Sequence, residues 1–420
     1  TLTRIFGFQH LELAEDVVQD SIIKAMRYWS YHGIPANPAG WIMQVAKNQA
    51  LDILRRERTL RGKQEELARL PDYRTDAAAD VALLDNELYD DQLRMMFTCC
   101  HPALSREARV ALTLKTLGGF GVSEIARAFL HPETTIAQRL VRAKRTLREM
   151  NVPFAVPEAD ELSARLDSVL DVLYLMFNEG YSAHQGEDLV RHDLCAEAIR
   201  LTALLARHPV GDLPKLHALL ALMLLQAARL DARTDTMGNL LLLEEQERSR
   251  WDQQMIHAGL RELVQSAKGE ELSQYHLEAG IAATHAVAPN YAATDWQRVR
   301  SQYDLLLQMT GSPVVALNRA VALAMVEGPQ AGLTALEQVR QMAGMEGYYL
   351  LHASFAEFWR QVGEIEKARA SYQRALALTA SEPARRFLQR RLDALGSISE
   401  LGRGQRSSGK GGSQGAAILL

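Results

Sequence analysis

The chain has 420 residues, of which 47% are hydrophobic and 23% are charged, and its formal net charge at pH 7 is −4. This balance is that of an ordinary globular protein, so it excludes a fibrous, collagen-like or wholly disordered chain. At about 150 residues per domain the length predicts two to three domains, and the apolar runs are too short for the ~20-residue helix that crosses a membrane.

The cysteine content and the N-terminus indicate a cellular compartment. Three cysteines cannot form a disulfide framework, which favours a reduced, cytoplasmic setting. Residues Thr1–His10 lack a sustained apolar core, so no signal peptide is expected. Because the chain begins with Thr1 rather than Met, we expect an initiating segment to be missing.

Helix-favouring residues dominate the sequence and strand-like alternation is hard to find, so the fold class is predicted to be all-α. Pro153 and Pro157 mark a break between helical regions, because proline cannot donate a hydrogen bond within a helix. Composition divides the chain into the segments 1–63 (ending in a basic run), 64–91 (an acidic linker), 92–152 (ending in a second basic helix), 158–395 (amphipathic helices) and 396–420 (a Gly/Ser-rich tail predicted to be disordered).

Residues 14–29 are predicted to form an amphipathic helix. Asp16, Gln19 and Asp20 share one face of this helix. The opposite face is apolar and consists of Val18, Ile22, Ala25 and Trp29. Alone, this pattern indicates an amphipathic helix and nothing more specific.

A basic helix is predicted after the helix-breaking segment Pro35–Pro38. It covers Trp41–Arg58, and its apolar stripe consists of Ile42, Val45, Ala46, Ile53 and Leu54. Cationic and amide side chains occupy another face, namely Gln44, Lys47, Asn48, Arg55 and Arg58. Such a face suits contacts with phosphates and base edges. The alternative is a solvated basic surface helix, which the spacing alone favours.

A helix-turn-helix is predicted at residues 122–150. A short amphipathic helix, Val122–Leu130, is followed by the turn His131-Pro132 and a longer helix, Glu133–Met150. The longer helix has an apolar stripe of Ile136, Leu140, Ala143 and Leu147 and a polar face of Thr135, Gln138, Arg139 and Arg142. Arg and Gln can bond base edges in the major groove, so DNA binding is favoured over a chance pattern in a helical protein.

Sequence motifs typical of nucleotide-binding, metalloprotease and redox enzymes are absent. Cys99, Cys100 and His101 form a metal-like cluster, but adjacent cysteines cannot both bind one tetrahedral ion without distant ligands such as His131 or Cys195. Buried thiols are therefore favoured over zinc. No catalytic residue, metal or cofactor is predicted.

A Gly-containing turn is predicted at Asn178–Tyr181. A junction between two helices is the favoured interpretation. The alternative is a contact with a small molecule through Glu179 and Tyr181.

The two basic segments, in this order, resemble a known family. Residues 14–58, which read AEDVVQDSIIKAMRYW and, further on, NPAGWIMQVAKNQALDILRRER, closely resemble the second conserved region of extracytoplasmic-function (ECF) sigma factors. Residues 103–148 resemble the fourth conserved region of that family. The resemblance implies two small helical sigma domains, and a protein that is not an enzyme but binds core RNA polymerase and promoter DNA.

The resemblance assigns roles to three sets of residues. The clamp helices of the largest polymerase subunit would bind Asp16, Gln19 and Asp20, and the polymerase flap would be a further contact. The −10 element would be read and melted by Trp41, Lys47, Asn48, Asp52, Arg55 and Arg56. The −35 element would be read by Thr135, Gln138, Arg139, Arg142 and Arg145. Thr1–Leu13 is too short to supply all of the additional helix that precedes this region in the family.

Residues 158–395 resemble the tetratricopeptide-like extension of one subgroup of ECF sigma factors. The resemblance rests on segments 177–183, 197–201, 248–252, 312–324 and 348–395. In the last unit the repeat positions are Ala356, Trp359, Gly363, Ala368, Tyr372 and Ala375. The resemblance implies regulation in cis or through a protein partner of this domain, and its mixed charges make DNA an unfavoured partner.

A different class of protein also fits part of the sequence. A ligand-responsive helix-turn-helix regulator with a repeat sensor domain would bind operator DNA as a dimer, and residues 103–148 fit that function equally well. Only residues 14–58 separate the two interpretations, because such a regulator has no use for a polymerase-docking face. A scaffold that does not bind DNA leaves both basic faces unexplained.

Overall fold

The computed structural model describes residues 2–6, 10–60, 91–129, 131–181, 191–209 and 212–401. Within these ranges the regular secondary structure is helical, and Thr234 and Leu240 form an isolated antiparallel bridge. The predicted all-α fold class is therefore confirmed. No helix in the described ranges is both long and apolar enough to cross a membrane.

The chain forms two compact units. The first comprises Thr1–Arg127 and His131–Val172, and the second comprises Ala128–Leu130 and Leu173–Leu420. The helices of the first unit are α1 (Leu2–Phe6), α2 (Leu11–His32), α3 (Pro38–Leu60), α4 (91–99), α5 (Arg106–Thr116), α6 (Val122–Phe129) up to Arg127, α7 (Glu133–Glu149) and the first part of α8 (Ala159–Tyr181).

The second unit contains the rest of α8 and the helices that follow it. These are α9 (His192–Ala206), α10 (Pro214–Ala227), α11 (Gln253–Ser266), α12 (Gln274–Val287), α13 (Trp296–Thr310), α14 (Pro313–Glu327), α15 (Pro329–Arg340), α16 (Tyr349–Gln361), α17 (Ile365–Leu378) and α18 (Glu382–Leu401). Their apolar faces are buried in clusters that join successive helices, which is how a chain of amphipathic helices covers its apolar surface.

Helices α2 and α3 pack closely because small side chains line their contact. Ala46 and Ala50 of α3 are fully buried, and both pack in one cluster with Val17 of α2. The Ser21 hydroxyl lies 2.6 Å from the Val17 carbonyl oxygen and 2.8 Å from Gln49 Oε1, and it can donate to either. A polar residue is therefore buried at this contact without losing its hydrogen bond.

The helix-turn-helix is present close to its predicted bounds. Gly119, in the turn between α5 and α6, has φ of 71°, a left-handed conformation that favours glycine. The N–H of Thr135 donates to the carbonyl of Pro132 (2.9 Å) at the start of α7. Proline suits this place because the first N–H groups of a helix have no partner within the helix.

The first part of α8 packs within the first unit. Arg165 Nη2 donates to the carbonyl of Phe97 (2.8 Å), and the Ser168 hydroxyl donates to the carbonyl of Cys100. These bonds satisfy the C-terminal end of α4 and the turn after it. The first unit therefore continues to Val172 rather than ending at the two prolines, where the composition changes.

The pair α16–α17 has the burial that a helical repeat requires. Its small and aromatic repeat positions are buried, namely Ala356, Ala368, Tyr372 and Ala375. Tyr372 Oη donates to Glu357 Oε2 (3.1 Å), and Gly363 has φ of 83° in the intervening turn. This packing agrees with the repeat pattern of the sequence, whereas the relation to tetratricopeptide repeats stays a prediction.

Helices α8 and α9 approach closely at Gly180. A Cβ atom at this position would lie 2.9 Å from the Arg191 carbonyl oxygen and 2.9 Å from Cys195 Sγ. The predicted turn at Asn178–Tyr181 is wrong, because these residues form the last turn of α8. The glycine serves close helix packing and not a change of chain direction.

Two further segments differ from, or fall outside, their predictions. The predicted acidic linker 64–91 lies outside the described residues except for Asp91, which begins the described part of α4 and pairs with Arg94 (3.0 Å). The tail was predicted to begin at residue 396, but α18 continues to Leu401. Leu395 is fully buried, so the packed face of α18 extends to the point where the tail was expected.

Candidate nucleic-acid interface

Helix α3 presents a polar face to solvent. Its start is fixed by Asn37, whose Oδ1 accepts a hydrogen bond from the Gly40 N–H (2.8 Å). Most of the residues predicted to contact the −10 element are described: Asn48, Asp52 and Arg56 are exposed, and Trp41 and Lys47 are half-buried. The side chains of Arg55 and Arg58 lie outside the described part. This placement is compatible with contacts to phosphates and bases.

Trp41 belongs to an aromatic cluster at the α2–α3 loop. Its ring stacks on Tyr28, with centroids 5.6 Å apart and planes inclined by 22°, and it meets the edge of Trp29 at 5.6 Å. Tyr28 also stacks on His32, with centroids 4.1 Å apart. Sequence reasoning did not include Tyr28, although its ring is exposed and could stack on an unpaired base.

The acidic face of α2 is exposed to solvent. Asp16, Gln19 and Asp20 all lie at the surface. The apolar face is rotated relative to its prediction, because the buried residues of α2 are Leu11, Ala14, Val17, Ser21 and Ala25. Ile22, predicted to be on the apolar face, is 43% exposed, and Val18 and Trp29 are half-buried.

Exposed apolar side chains lie close to the acidic face of α2. They are Ile22, Ile23 and Met26, followed by Tyr31 and Ile34 at the end of the helix and in the next loop. A contiguous group of this kind suits a protein interface more than a free surface. The sequence signal for it was the presence of apolar residues outside the stripe that packs on α3.

Helix α7 buries its apolar stripe and exposes its predicted reading face. Ile136, Leu140, Ala143 and Leu147 are all buried, which confirms the predicted stripe. Gln138, Arg142 and Arg145 are exposed, whereas Thr135 and Arg139 are half-buried. Arg145 Nε lies 3.5 Å from Glu149 Oε1 in a solvent-exposed pair, which can separate at little cost.

Two ion pairs join α7 to α2. Lys144 Nζ lies 2.9 Å from Glu15 Oε2, and Arg148 Nη2 lies 3.8 Å from Glu12 Oε2. Lys144 is the more buried cation, with 11% of its side chain exposed. The pairs link the helix predicted to read the −35 element to the helix predicted to dock on polymerase, and neither uses a predicted contact residue.

The two adjacent cysteines are buried thiols. Cys99 Sγ lies 3.0 Å from Thr116 Oγ1, and Cys100 Sγ lies 3.6 Å from Thr113 Oγ1. Burial raises the pKa of Cys99 and raises that of Cys100 to about 12, so both thiols stay protonated. In the ranges that the structure describes, no group of three His, Cys, Asp or Glu side chains could hold a metal ion.

Comparisons with known families agree with this arrangement. The Sigma-70 region 2 model matches residues 3–59, and the Sigma-70, region 4 model matches residues 94–147. Residues 165–267 match a family of unknown function, DUF6596. The first match covers α2 and α3, and the second covers the helix-turn-helix, so the two exposed polar faces lie within the two matched regions.

The chain is similar to a known protein over most of its length. An uncharacterized protein of Rhizobium meliloti (strain 1021) is 38% identical over 390 residues, which are 92% of this chain and 91% of that protein. The similarity therefore extends through the C-terminal helices as well as the two sigma regions. No solved structure matches the chain.

Proposed function

This chain belongs to the sigma-70 family of RNA polymerase sigma factors, and from that premise we propose that it is an ECF-type sigma factor whose C-terminal helices regulate its activity in cis. Sigma factors are transcription initiation factors rather than enzymes. The observation that carries the proposal is that α3 and α7 both expose cationic and amide side chains. Helix α7 buries its whole predicted apolar stripe, whereas α3 buries Ala46 and Ala50 against α2 and leaves Ile53 of its predicted stripe exposed. One chain thus presents two separate surfaces suited to DNA.

The two surfaces divide the reading of a promoter. On α3, Lys47 and Arg56 contact phosphates, Asn48 contacts bases of the −10 element, and Trp41 stacks against a base of the opened strand. On α7, Gln138 and Arg142 read base edges of the −35 element in the major groove. The exposure of Asn48, Arg56, Gln138 and Arg142 supports these roles. The buried stripe of α7, and the burial of Ala46 and Ala50 of α3, fix the direction of each face.

Polymerase docking uses the exposed face of α2. Asp16, Gln19 and Asp20 supply charge and hydrogen-bond acceptors for a basic surface, which favours fast and specific association. Ile22 and Met26 supply apolar area that becomes buried at the interface. Charged residues next to exposed apolar residues support a protein partner for this helix. The family implies that this partner is RNA polymerase in the cytoplasm.

An operator-binding regulator is the less favoured function. It would account for α6 and α7 but not for the match to sigma-70 region 2 or for the exposed acidic and apolar face of α2. The two functions also differ in whether specific DNA binding requires core polymerase. A sigma factor binds its promoter as part of the polymerase complex, whereas a regulator binds its DNA site without polymerase.

The C-terminal helices are proposed to act on the promoter-reading regions rather than on DNA. They form a compact unit from Leu173 onward, and many of their arginines pair with acidic residues, as Arg360 does with Glu357. A surface of mixed charge binds nucleic acid poorly, so a regulatory contact with protein is the better supported role. The tetratricopeptide-like character of this extension is part of the same proposal.

Run-off transcription with purified core polymerase tests the function directly. Promoter-dependent transcripts that appear only when this chain is added are the expected result. A chain with Asp16→Lys and Asp20→Lys should give fewer transcripts at the same concentration, because it binds core polymerase more weakly. Tight, specific DNA binding without polymerase, together with no promoter-dependent transcript, would instead identify an operator-binding regulator.

A further inference from the structure

The second unit contains a cavity, partly open to solvent, that the sigma-factor function does not use. Its volume is about 370 Å³, in the lower part of the range of about 300–1,000 Å³ for small-molecule sites. The wall is formed by α8, α10, α12, α13 and α14 together with Arg233. Ser312 and Val314, at the start of α14, also line it. Most of the lining is aliphatic or aromatic, and charged groups occur at two places.

One charged place is Arg233, which is only 4% exposed. Its guanidinium lies over the Tyr181 ring, 4.0 Å from the ring centroid, and donates a hydrogen bond to the Tyr181 carbonyl. Within the described ranges no carboxylate lies within ion-pair distance of this guanidinium. A buried cation without a counter-ion is costly, so this position is suited to an anion.

Unsatisfied donors lie next to Arg233. The Tyr181 hydroxyl and Arg229 Nη1 are buried, and neither has a hydrogen-bond partner among the described residues. The Arg229 guanidinium lies 5.7 Å from the centroid of the Tyr181 ring, on which Arg233 also stacks. Buried polar atoms of native proteins nearly always have partners. Tyr181 lines the cavity and Arg229 does not, so it is the Tyr181 hydroxyl that favours a ligand able to accept a hydrogen bond.

The other charged place is Glu278 on α12. Both of its carboxylate oxygens accept from the Tyr174 hydroxyl, at 2.9 and 3.1 Å. Burial raises the pKa of Glu278 to about 7, and no arginine lies within ion-pair distance of it in the described part of the chain. This acid can therefore accept a hydrogen bond from an ammonium group and become ionised as the ligand binds.

We propose that this cavity binds a free amino acid or a close analogue. Its carboxylate bonds Arg233 and the Tyr181 hydroxyl, and its ammonium group bonds Glu278. The side chain of the ligand lies against Leu222 and Ile281. Inorganic phosphate fits less well, because most of the wall is apolar and the Glu278 carboxyl repels a second anion. The guanidinium supplies a planar pair of donors that suits a carboxylate.

Binding is measured on the full chain without polymerase, so the result does not depend on the sigma-factor function. The probes are the free L-amino acids, the matched carboxylic acids that lack the amino group, the matched amines that lack the carboxylate, and inorganic phosphate. Thermal shift identifies a binder, and calorimetry gives its Kd. We expect at least one amino acid to bind and its two truncated analogues to bind at least tenfold more weakly.

Three variants test the residues. Tyr181→Phe removes a hydroxyl that has no partner in the described protein, so it should fold, and Glu278→Gln keeps the shape of its side chain. Both should weaken binding about 10- to 100-fold, the range of a lost charge-assisted hydrogen bond. Arg233→Gln should abolish binding, and Arg261→Gln, at an exposed position of the same unit, should leave the affinity unchanged.

The proposal is overturned if no amino acid binds. It is also overturned if phosphate or the acid without an amino group binds as tightly as the amino acid, because Glu278 then has no role. An affinity within twofold of the wild type in either Tyr181→Phe or Glu278→Gln, in protein with an unchanged circular dichroism spectrum, overturns the assignment of the cavity.

Discussion

Lys144 of α7 and Glu15 of α2 form an ion pair with 2.9 Å between Nζ and Oε2, and this pair connects the two promoter-reading regions within the first unit. The −10 and −35 promoter elements are named by their distance in base pairs from the transcription start, so they lie about 25 base pairs apart. In B-form DNA this is roughly 85 Å at 3.4 Å per base pair. Helix α3, the proposed reader of the −10 element, packs on α2, so α7 cannot reach the −35 element while it is held against α2. We infer that the pair belongs to the free chain and separates on the promoter.

A charge-reversal cycle tests this pair. Lys144→Glu should destabilise the first unit by about 1 kcal/mol, because it places two carboxylates together near a partly buried position. The double variant Glu15→Lys with Lys144→Glu should restore most of the loss. Urea unfolding of the four proteins gives the coupling energy. Additive effects of the two single changes would show that the side chains do not interact in solution.

The acidic face of α2 is the proposed docking surface for polymerase. Asp16→Lys with Asp20→Lys should lower the affinity for core polymerase at least tenfold, because two exposed carboxylates become cations opposite a basic surface. Co-purification and fluorescence anisotropy with core polymerase measure the effect. A matched control, Glu270→Lys with Glu271→Lys, changes the same charge at an exposed site in the second unit. Equal binding by both double variants would exclude α2 as the docking surface.

Base reading and phosphate contact should respond differently to mutation. Arg142→Ala should reduce discrimination among −35 variants by about 1–3 kcal/mol, the range of a bidentate base contact. Lys47→Ala should weaken binding to all sequences alike and reduce the salt dependence by about one phosphate contact. A panel of promoter variants, titrated at several salt concentrations with the polymerase complex, separates the two. A uniform loss for Arg142→Ala contradicts its assignment to base reading.

Truncation should reveal where the first unit ends. A chain ending at Pro157 lacks Arg165 and Ser168, which satisfy the carbonyls of Phe97 and Cys100. We expect it to melt at least about 5 °C below a chain ending at Val172, because buried carbonyls lose their partners. Differential scanning calorimetry measures this. Transcription by the longer truncation, compared with the full chain, then tests regulation by the second unit, and unchanged activity would contradict regulation in cis.

The buried acid of the second unit should make stability depend on pH. The pKa of Glu278 rises on folding from 4.5 to about 7 because of burial, so in this window the folded chain keeps a proton that the unfolded chain has lost. The contribution of Glu278 to the free energy of unfolding is fully present below pH 4.5 and is lost as the pH rises to 7. The loss is on the order of 3 kcal/mol. Glu278→Gln should lose this dependence.

The difference between wild type and Glu278→Gln is the quantity to measure, by urea unfolding between pH 4.5 and 7. His285 acts in the opposite direction, since burial lowers its pKa to about 3 and its stabilising contribution is lost as pH falls below 6.5. That contribution is common to both proteins and cancels. A flat difference curve would show that Glu278 is not buried in solution.

The sequence predicted the buried face of a helix where that face consists of large apolar residues with helical period. It did not predict a buried face that depends on a contact with another helix. The stripe of α7 could be predicted because large apolar residues such as Ile136 and Leu140 repeat with helical period. The buried face of α2 could not, because the polar Ser21 is buried through its bond to Gln49 on another helix, while Ile22 is exposed.

The cavity of the second unit lay beyond sequence reasoning for a related reason. Tyr174 and Glu278 are far apart in the chain, and only the packing of α8 against α12 joins the hydroxyl to the carboxylate. Tyr181 was noticed in the sequence, but as part of a turn. Its actual place, inside a helix and under the Arg233 guanidinium, is what gives it a candidate function.

Gly180 limits what mutation can do at the junction of α8 and α9. A methyl group there would collide with the backbone of Arg191 and Cys195, and backbone cannot rotate away as a flexible side chain can. A library of all substitutions at position 180, selected for stable protein, should therefore return glycine alone. Homologous chains in which α8 and α9 keep this spacing should also require glycine at this position. The position can therefore be used as a fixed reference point when their sequences are aligned.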